Sequence, residues 1–256
     1  MKTRPMNEQV QQYWEAVPCG TEPHIVGGRE QGSKDWFEAV ENFRYSQEPF
    51  IHSMAQFTRF RGKRVLEVGV GAGTDHLQWA RAGADLYGVD LTNAGITTTR
   101  KRLEVYGLTS NLRQIDAEAL PFESSFFDVV YSWGVIHHSE HPERIIGEIK
   151  RVLKPGGLFI GMLYNRASIT VGIFWLKHAL LAGKPFRSLQ NVLHNNIESV
   201  GTKAYTQKEL GRMFSGFASL HITPFLSHSD YQHFPKSWRN VLPSALAFYL
   251  GIQARR

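Results

Sequence analysis

The chain has 256 residues, 42% of them hydrophobic and 20% charged, with a formal net charge of +6 and a pI near 9.4. That length and balance fit one large globular domain with appendages, and exclude a disordered or membrane-embedded chain. A single cysteine, Cys19, excludes an intrachain disulfide, and Met1-Lys2-Thr3-Arg4-Pro5 opens too polar for a signal peptide, so a cytoplasmic location is expected. The basic balance raises nucleic acid as a partner, but no run of five or six like charges occurs. In the best patch, Phe57 to Arg64, cations alternate with aromatics. It reads more simply as cations closing a helix before Gly62, with the phenylalanines on its buried face, and nucleic acid is not expected as a partner.

Residues 7 to 60 read as mainly helical, with Tyr13, Trp14, Phe37, Val40, Phe43 and Phe50 as apolar contacts. Then Val65-Leu66-Glu67-Val68 runs into Gly69, Gly71 and Gly73 at alternate positions, a strand entering a tight turn with backbone bare enough for a ligand to lie against it. A dinucleotide fingerprint would need its third glycine one position later, where Thr74 stands, so NAD and FAD are disfavoured. Strands are expected near 64–69, 85–89, 112–115, 127–132 and 157–163, with helices near 74–82, 93–106 and 143–153. In the last helix Ile145, Ile146, Ile149, Val152 and Leu153 share one face, and Pro142 suits the first turn. This order implies a parallel sheet with right-handed crossovers. Asp90 ends the second strand, where an acid can accept the hydroxyls of a ribose.

An interruption follows, read as a helical insertion over 165–203. The regular pattern resumes at the capping-box sequence Thr206-Gln207-Lys208-Glu209, with Leu210, Met213, Phe214 and Phe217 inward, and closing strands are expected at 219–223 and 247–253. The expected divisions are therefore an N-terminal helical cap (1–60), an α/β core (61–164), the insertion (165–203) and a C-terminal completion of the core (204–256).

The glycine turn, Asp90, Gln114-Ile115-Asp116-Ala117 and Phe127-Asp128-Val129-Val130-Tyr131-Ser132-Trp133 stand in order at consistent spacings. Together they resemble the class I methyltransferases that use S-adenosyl-L-methionine (SAM). Leu120-Pro121-Phe122 and Leu153-Lys154-Pro155-Gly156-Gly157 are most similar to the branch holding the ubiquinone/menaquinone C-methyltransferases and many small-molecule enzymes. The resemblance is strong over about residues 60 to 165. It implies a doubly wound, mostly parallel seven-stranded sheet, SAM as cofactor, S-adenosyl-L-homocysteine (SAH) as product, and direct in-line displacement onto a small-molecule acceptor. It further implies that Gly69, Gly71 and Gly73 pass under the methionine and ribose, and that Glu67 meets the methionine ammonium. Asp90 would take the ribose hydroxyls and Leu91 lie against the adenine. Asp116 and the Ala117 amide would meet the adenine edge, with Glu118 a competitor for Asp116. Trp133 would offer its backbone carbonyl to the ammonium. Asp128, inside a strand, is expected to be structural. A catalytically inactive SAM-binding partner is the alternative, as is an RNA or protein methyltransferase. The latter is weakened because Ser132-Trp133-Gly134-Val135 replaces the Asn-Pro-Pro-Tyr type of tetrapeptide.

The acceptor side is less legible. His138, in Ile136-His137-His138-Ser139, is the candidate catalytic residue, as a base for a hydroxyl or phenol; packing is the competing reading. His137, His138 and His141 cluster, but no cysteine or evident acid completes a shell, so no metal is expected. Cys19 has no base partner, and Tyr45 and Glu48 are further pocket candidates. The apolar stretch 167–182 is interrupted by Lys177 and His178 and too short to span a membrane. It reads as a helix packed on the sheet or on a second subunit, or else as a lid over a lipophilic acceptor or a peripheral membrane contact.

Overall fold

The computed structural model describes residues 5–232, 234 and 241–256. The polar opening Met1 to Arg4, part of the expected cap, and residues 233 and 235–240 of the C-terminal region lie outside the described residues. Seven strands form one sheet: β1 (Arg64–Val68), β2 (Asp85–Asp90), β3 (Asn111–Gln114), β4 (Phe127–Trp133), β5 (Leu153–Tyr164), β6 (Ser219–Phe225) and β7 (Tyr249–Arg255). Their spatial order is β3-β2-β1-β4-β5-β7-β6. The first five pair in parallel, and β7 runs antiparallel to both β5 and β6. This is the doubly wound, mostly parallel sheet expected.

Two strand boundaries differ from expectation. β5 starts at Leu153 rather than near 157, because Lys154-Pro155-Gly156-Gly157 bulges out between the pairs Phe127↔Leu153 and Val129↔Leu158. Gly156 absorbs the bulge at φ +76°. β7 spans 249–255 rather than 247–253. Its ladder with β5 begins at Tyr164↔Tyr249 and carries on to Leu158↔Arg255, so register against β5 sets its ends.

Four helices precede β1: α1 (Met6–Ala16), α2 (Pro23–Val26), α3 (Lys34–Gln47) and α4 (Ile51–Ala55). The aromatic-basic patch that follows is a single 3-10 turn, Phe57–Phe60, not the end of a longer helix. Its rings point inward, Phe57 and Phe60 lying 4.7 and 6.0 Å from the Trp79 ring, which favours the packing reading over nucleic acid. Helices α5 (Thr74–Arg81), α6 (Asn93–Val105) and α7 (Pro142–Val152) alternate with the strands. On α7, Ile145, Ile146, Ile149 and Val152 are buried, together with Leu66, Val130 and Phe159 of the sheet. The opposite sheet face, with Val65, Val129 and Tyr131, packs on Trp79 and α4. The division between the two faces follows the two-residue period of a strand.

The insertion is helical, with α8 (Ile169–Trp175) continued by a π-helical turn at Leu176–Leu180, then α9 (Leu189–Asn196). Val171, Leu193 and Ile197 are buried in the same cluster as Tyr164 and Phe248, so one face packs on the end of the sheet. The other face leaves Leu180, Leu181 and Phe186 exposed. Among the described residues no helix is long and apolar enough to cross a membrane. After the insertion, α10 (Gln207–Met213), opened by the expected Thr206/Glu209 capping box, precedes β6, and α11 (His228–Tyr231) lies between β6 and β7.

Candidate active site

A cavity of about 350 Å³ opens beyond the carboxyl ends of the central strands, where ligands bind in doubly wound sheets. Glu67, Gly69, Gly71, Asp90, Leu91, Asp116, Ala117, Trp133 and His138 all line it. Gly73, the remaining expected contact, is not on the wall. It sits at φ +73° before α5, where a Cβ would lie 2.8 Å from Thr99 Oγ1, so it serves the packing of α5 on α6.

The glycine turn is built differently at each position. At Gly69 (φ +81°) a Cβ would lie 2.3 Å from Val135 Cγ2, so only glycine fits. At Gly71 (φ +51°) a Cβ meets nothing within 4 Å, which leaves that stretch of backbone open toward the cavity. Asp90 fastens the turn: one carboxylate oxygen accepts from the Gly71 amide at 2.9 Å, the other from the Thr92 amide and hydroxyl at 2.9 and 2.7 Å. Gly95 lets α6 approach this acid, because a Cβ there would lie 2.7 Å from Asp90 Cγ.

Glu67 is almost wholly buried and bonded to a second buried group. Its Oε2 lies 3.0 Å from His76 Nδ1, and His76 Nε2 lies 2.9 Å from Ser110 Oγ. The Ser110 hydroxyl donates to the Leu86 carbonyl at 2.8 Å, so it accepts from His76 Nε2–H. Nδ1 is then free to accept, and the proton between the two residues sits on Glu67. Burial acts in the same sense on both, holding the Glu67 carboxyl well above its ordinary range and the imidazole down at about 3.

Asp116 and Glu118 are separated by their partners. Glu118 accepts from the Ser139 hydroxyl and the His141 amide, outside the cavity wall, while Asp116 stays on the wall and accepts from the Glu118 amide. Helix α1 closes this end. Asn7 donates to both Asp116 and Glu118, Gln11 donates to the Leu91 carbonyl, and Glu15 accepts from the Asn93 and Ala94 amides that open α6.

Beneath the turn lies a charged cluster of which the sequence singled out only Tyr45 and Glu48. Arg44, on the cavity wall, donates to Glu48 at 2.9 Å and to Asp75 at 3.0 Å. Asp75 also accepts from the Tyr45 and Tyr131 hydroxyls, and Glu48 from the Trp133 indole. Glu48 lines the cavity; Tyr45 sits behind it. Asp128 lies in the bulge region away from the cavity, accepting from the Arg64 amide and Lys154, as expected of a structural residue.

The other end of the cavity is lined by Trp14, Met162, Tyr164, Tyr249, Cys19 and His138. Glu198, from the end of the insertion, joins them, and sequence distance hid it. It completes what the histidines lacked. Ligand atoms of His137, His138 and Glu198 lie within 4.8 Å of one another. Among the described residues, both ring nitrogens of the buried His137 have no hydrogen-bond partner. His141 stands apart, paired with Glu143 at 3.3 Å. Cys19 keeps surface open to the cavity, yet burial among its neighbours pushes its thiol up to about 12. That removes it as a nucleophile.

Residues 66–161 match the family model described as a methyltransferase domain, and the sheet order surrounds that match with a complete seven-stranded fold. This segment is a methyltransferase domain. The methyltransferase core is 35% identical over 133 residues to the ubiquinone biosynthesis O-methyltransferase of Roseobacter denitrificans, covering 51% of this chain and 54% of that one. It is 39% identical over 142 residues to the phthiotriol/phenolphthiotriol dimycocerosates methyltransferase 1 of Mycobacterium ulcerans, covering 54% and 49%. The chain thus spans about half the length of the curated relatives it matches. Among solved structures, the magnesium protoporphyrin IX methyltransferase of Synechocystis with bound SAH aligns at a TM-score of 0.61 and 15% identity, over 96% of this chain and 98% of that one. The (4+2)-cyclase SpnF aligns at 0.62 and 18%, over 98% and 96%. At these identities the likeness shows the fold.

Proposed function

We propose that this methyltransferase moves the methyl group of SAM onto a hydroxyl of a lipophilic small molecule, in the cytoplasm. The observation that carries the reading is the sharing of one cavity by a cofactor cradle and an aromatic wall with ionisable groups. The residues present fit SAM: Gly71 leaves open space where a side chain would stand, and Asp90 and Asp116 keep carboxylates on the wall. When bound, SAM supplies an activated methyl group on a sulfonium. Asp90 would hold the ribose and Asp116 with the Ala117 amide the adenine, while Leu91 covers its face. Glu67 and the Trp133 carbonyl would meet the ammonium. Arg44 supplies a half-buried cation on the cavity wall, whose charge suits the methionine carboxylate. The chain's own contribution is position, holding donor and acceptor in line and excluding water, which is worth up to roughly 10 kcal/mol in the best cases.

Trp14, Met162, Tyr164 and Tyr249 support an apolar or aromatic acceptor, and so do relatives named for O-methylation in ubiquinone biosynthesis and for methylation of phthiotriol or phenolphthiotriol dimycocerosates. The exposed Leu180, Leu181 and Phe186 support contact of the insertion with a lipid surface, which liposome flotation would test. The lone Cys19 is compatible with a reducing compartment. Incubation with methyl-deuterated SAM and a cell extract, followed by mass spectrometry, tests the function. Label in an apolar hydroxylated metabolite is expected. Label only in RNA or protein, or tight SAM binding with no label anywhere, would overturn the reading.

A further inference from the structure

Glu198 enters the cavity from the insertion in a costly conformation. Its φ of +50° lies in the left-handed region, which a residue with a side chain adopts at a cost of roughly 1–3 kcal/mol, and which clusters at functional sites. Two groups hold its carboxylate. The Tyr164 hydroxyl donates at 3.0 Å to either oxygen, and His138 Nε2 lies 3.3 Å from Oε2.

The proton positions on His138 follow from its other contacts. Nδ1 lies 2.9 Å from Ser199 Oγ and 3.1 Å from Thr202 Oγ1. The Thr202 hydroxyl donates to the Ser199 carbonyl at 2.7 Å, so toward Nδ1 it can only accept, while the Ser199 hydroxyl can donate or accept there. Nε2 faces the Glu198 carboxylate, which can only accept, so Nε2 carries a proton. Both nitrogens of His138 are therefore committed, and the imidazole has no free lone pair for an incoming hydroxyl. Glu198 retains one. Its side chain is 36% exposed, so it is reachable from the cavity and can pass a proton onward to solvent.

We propose that Glu198 is the proton acceptor for the substrate hydroxyl, with His138 and Tyr164 as the residues that position its carboxylate. This rests on the methyltransferase reading above and adds the identity of the base. As the hydroxyl oxygen forms its bond to the methyl carbon, its O–H bond breaks and the proton passes to Glu198. The carbon–sulfur bond breaks with its electron pair kept by sulfur, so charge and atoms balance. The other ionisable groups near Glu198 are Tyr13, Cys19, Glu48, Tyr164 and Tyr249. Burial and the carboxylates around them hold the four acidic hydroxyl and thiol groups protonated, and burial raises Glu48, which is also tied to Arg44 and Trp133. None of them competes as a base. Buried His137, its pKa driven well below the ordinary value, stacks on Tyr164 at 3.9 Å without reaching the cavity wall.

The test compares the full chain with Glu198→Gln and Glu198→Asp, using SAM with 4-octylcatechol and 1-decanol as probe acceptors, and following His138 by nitrogen-15 NMR with SAH bound. In the wild type His138 is expected to carry a proton on Nε2. The kcat of Glu198→Gln should fall by about 10²- to 10⁴-fold. The rising limb of its pH–rate profile should vanish, SAM affinity by calorimetry should stay within about twofold, and Glu198→Asp should recover part of the rate. Unchanged kcat in Glu198→Gln, or an Nδ1–H tautomer indifferent to the substitution, would overturn the proposal. So would activity that is lost on chelation and restored by zinc, which would make His137, His138 and Glu198 a metal site. If the wild type methylates neither probe nor any extract component, the functional reading fails, and the protonation of His138 Nε2 seen by NMR still decides the pair by itself.

Discussion

Substituting Glu67 by glutamine should stabilise the cofactor-free protein at neutral pH, although it alters a residue at the centre of the site. The folded chain holds a proton on Glu67 that the unfolded chain loses above pH 4.5, the ordinary carboxyl value. Stability therefore falls by about 1.4 kcal/mol for each pH unit above 4.5, until the raised folded value is passed. His76 acts oppositely: unfolded it binds a proton below 6.5, while folded it refuses one down to about 3, so stability rises with pH across that interval. Between 4.5 and 6.5 the two slopes cancel, and above 6.5 the Glu67 slope stands alone. Glutamine is neutral at every pH and its amide can donate to His76 Nδ1 as the protonated acid does. Glu67→Gln should thus gain on the wild type as pH rises above 4.5, by at most about 1.4 kcal/mol per pH unit. Urea unfolding of both proteins at pH 5, 6, 7 and 8 without SAM measures the difference, in which other titrating groups drop out. A carboxylate–imidazolium pair would give the opposite sign: its loss would cost about 3–5 kcal/mol, with no gain as pH rises. That result would refute the proton placement.

Gly69→Ala should lower stability by about 2–5 kcal/mol, since the new methyl would lie 2.3 Å from Val135 Cγ2 at a positive φ. Gly71→Ala should cost only about 1 kcal/mol and instead weaken SAM binding, because its methyl enters open cavity; thermal unfolding and calorimetry on the two variants separate the effects. Glu15→Ala removes the acceptor for two amides at the start of α6. It should cost about 1 kcal/mol and speed SAH release in stopped-flow measurements. Iodoacetamide at pH 8 should alkylate Cys19 at least about a hundredfold more slowly than a free thiol, given a thiol raised from 9.0 to about 12. Alkylation at the free-thiol rate would show the thiol to be solvated.

The cofactor half was legible because its chemistry is local in sequence. The strand, the glycine turn and Asp90 lie within 26 residues (65 to 90), and strand periodicity fixes which side each side chain faces. Two details were hidden by contacts across the fold. Gly73 looked like a ligand contact by spacing, yet Thr99 on the neighbouring helix takes the space beside it. Asp116 and Glu118 look alike in sequence, and only Ser139 and His141, which bind Glu118 from another part of the chain, set it off from the wall that Asp116 lines. His76 carried no signal at all, because a histidine on a helix shows its role only when β1 brings Glu67 to 3.0 Å.

The acceptor half is illegible for a related reason, and this bears on what relatives can teach. Trp14, Arg44, Glu48, Glu198 and Tyr249 all line the cavity, and all lie outside residues 66–161, the segment that matches the methyltransferase domain. They converge because α1 and α3 pack over the carboxyl ends of the strands from one side while the insertion and β7 close the other. The match to the domain model, confined to 66–161, therefore speaks for the cradle of Asp90 and Gly71, and says little about which molecule meets Tyr164 and Glu198. A protein can keep this core and change its acceptor by changing the flanks alone. Transplanting residues 165–203 onto the core of a relative should move acceptor preference while leaving SAM affinity in place. A change in SAM affinity with acceptor preference intact would show that the division between the two halves is wrong.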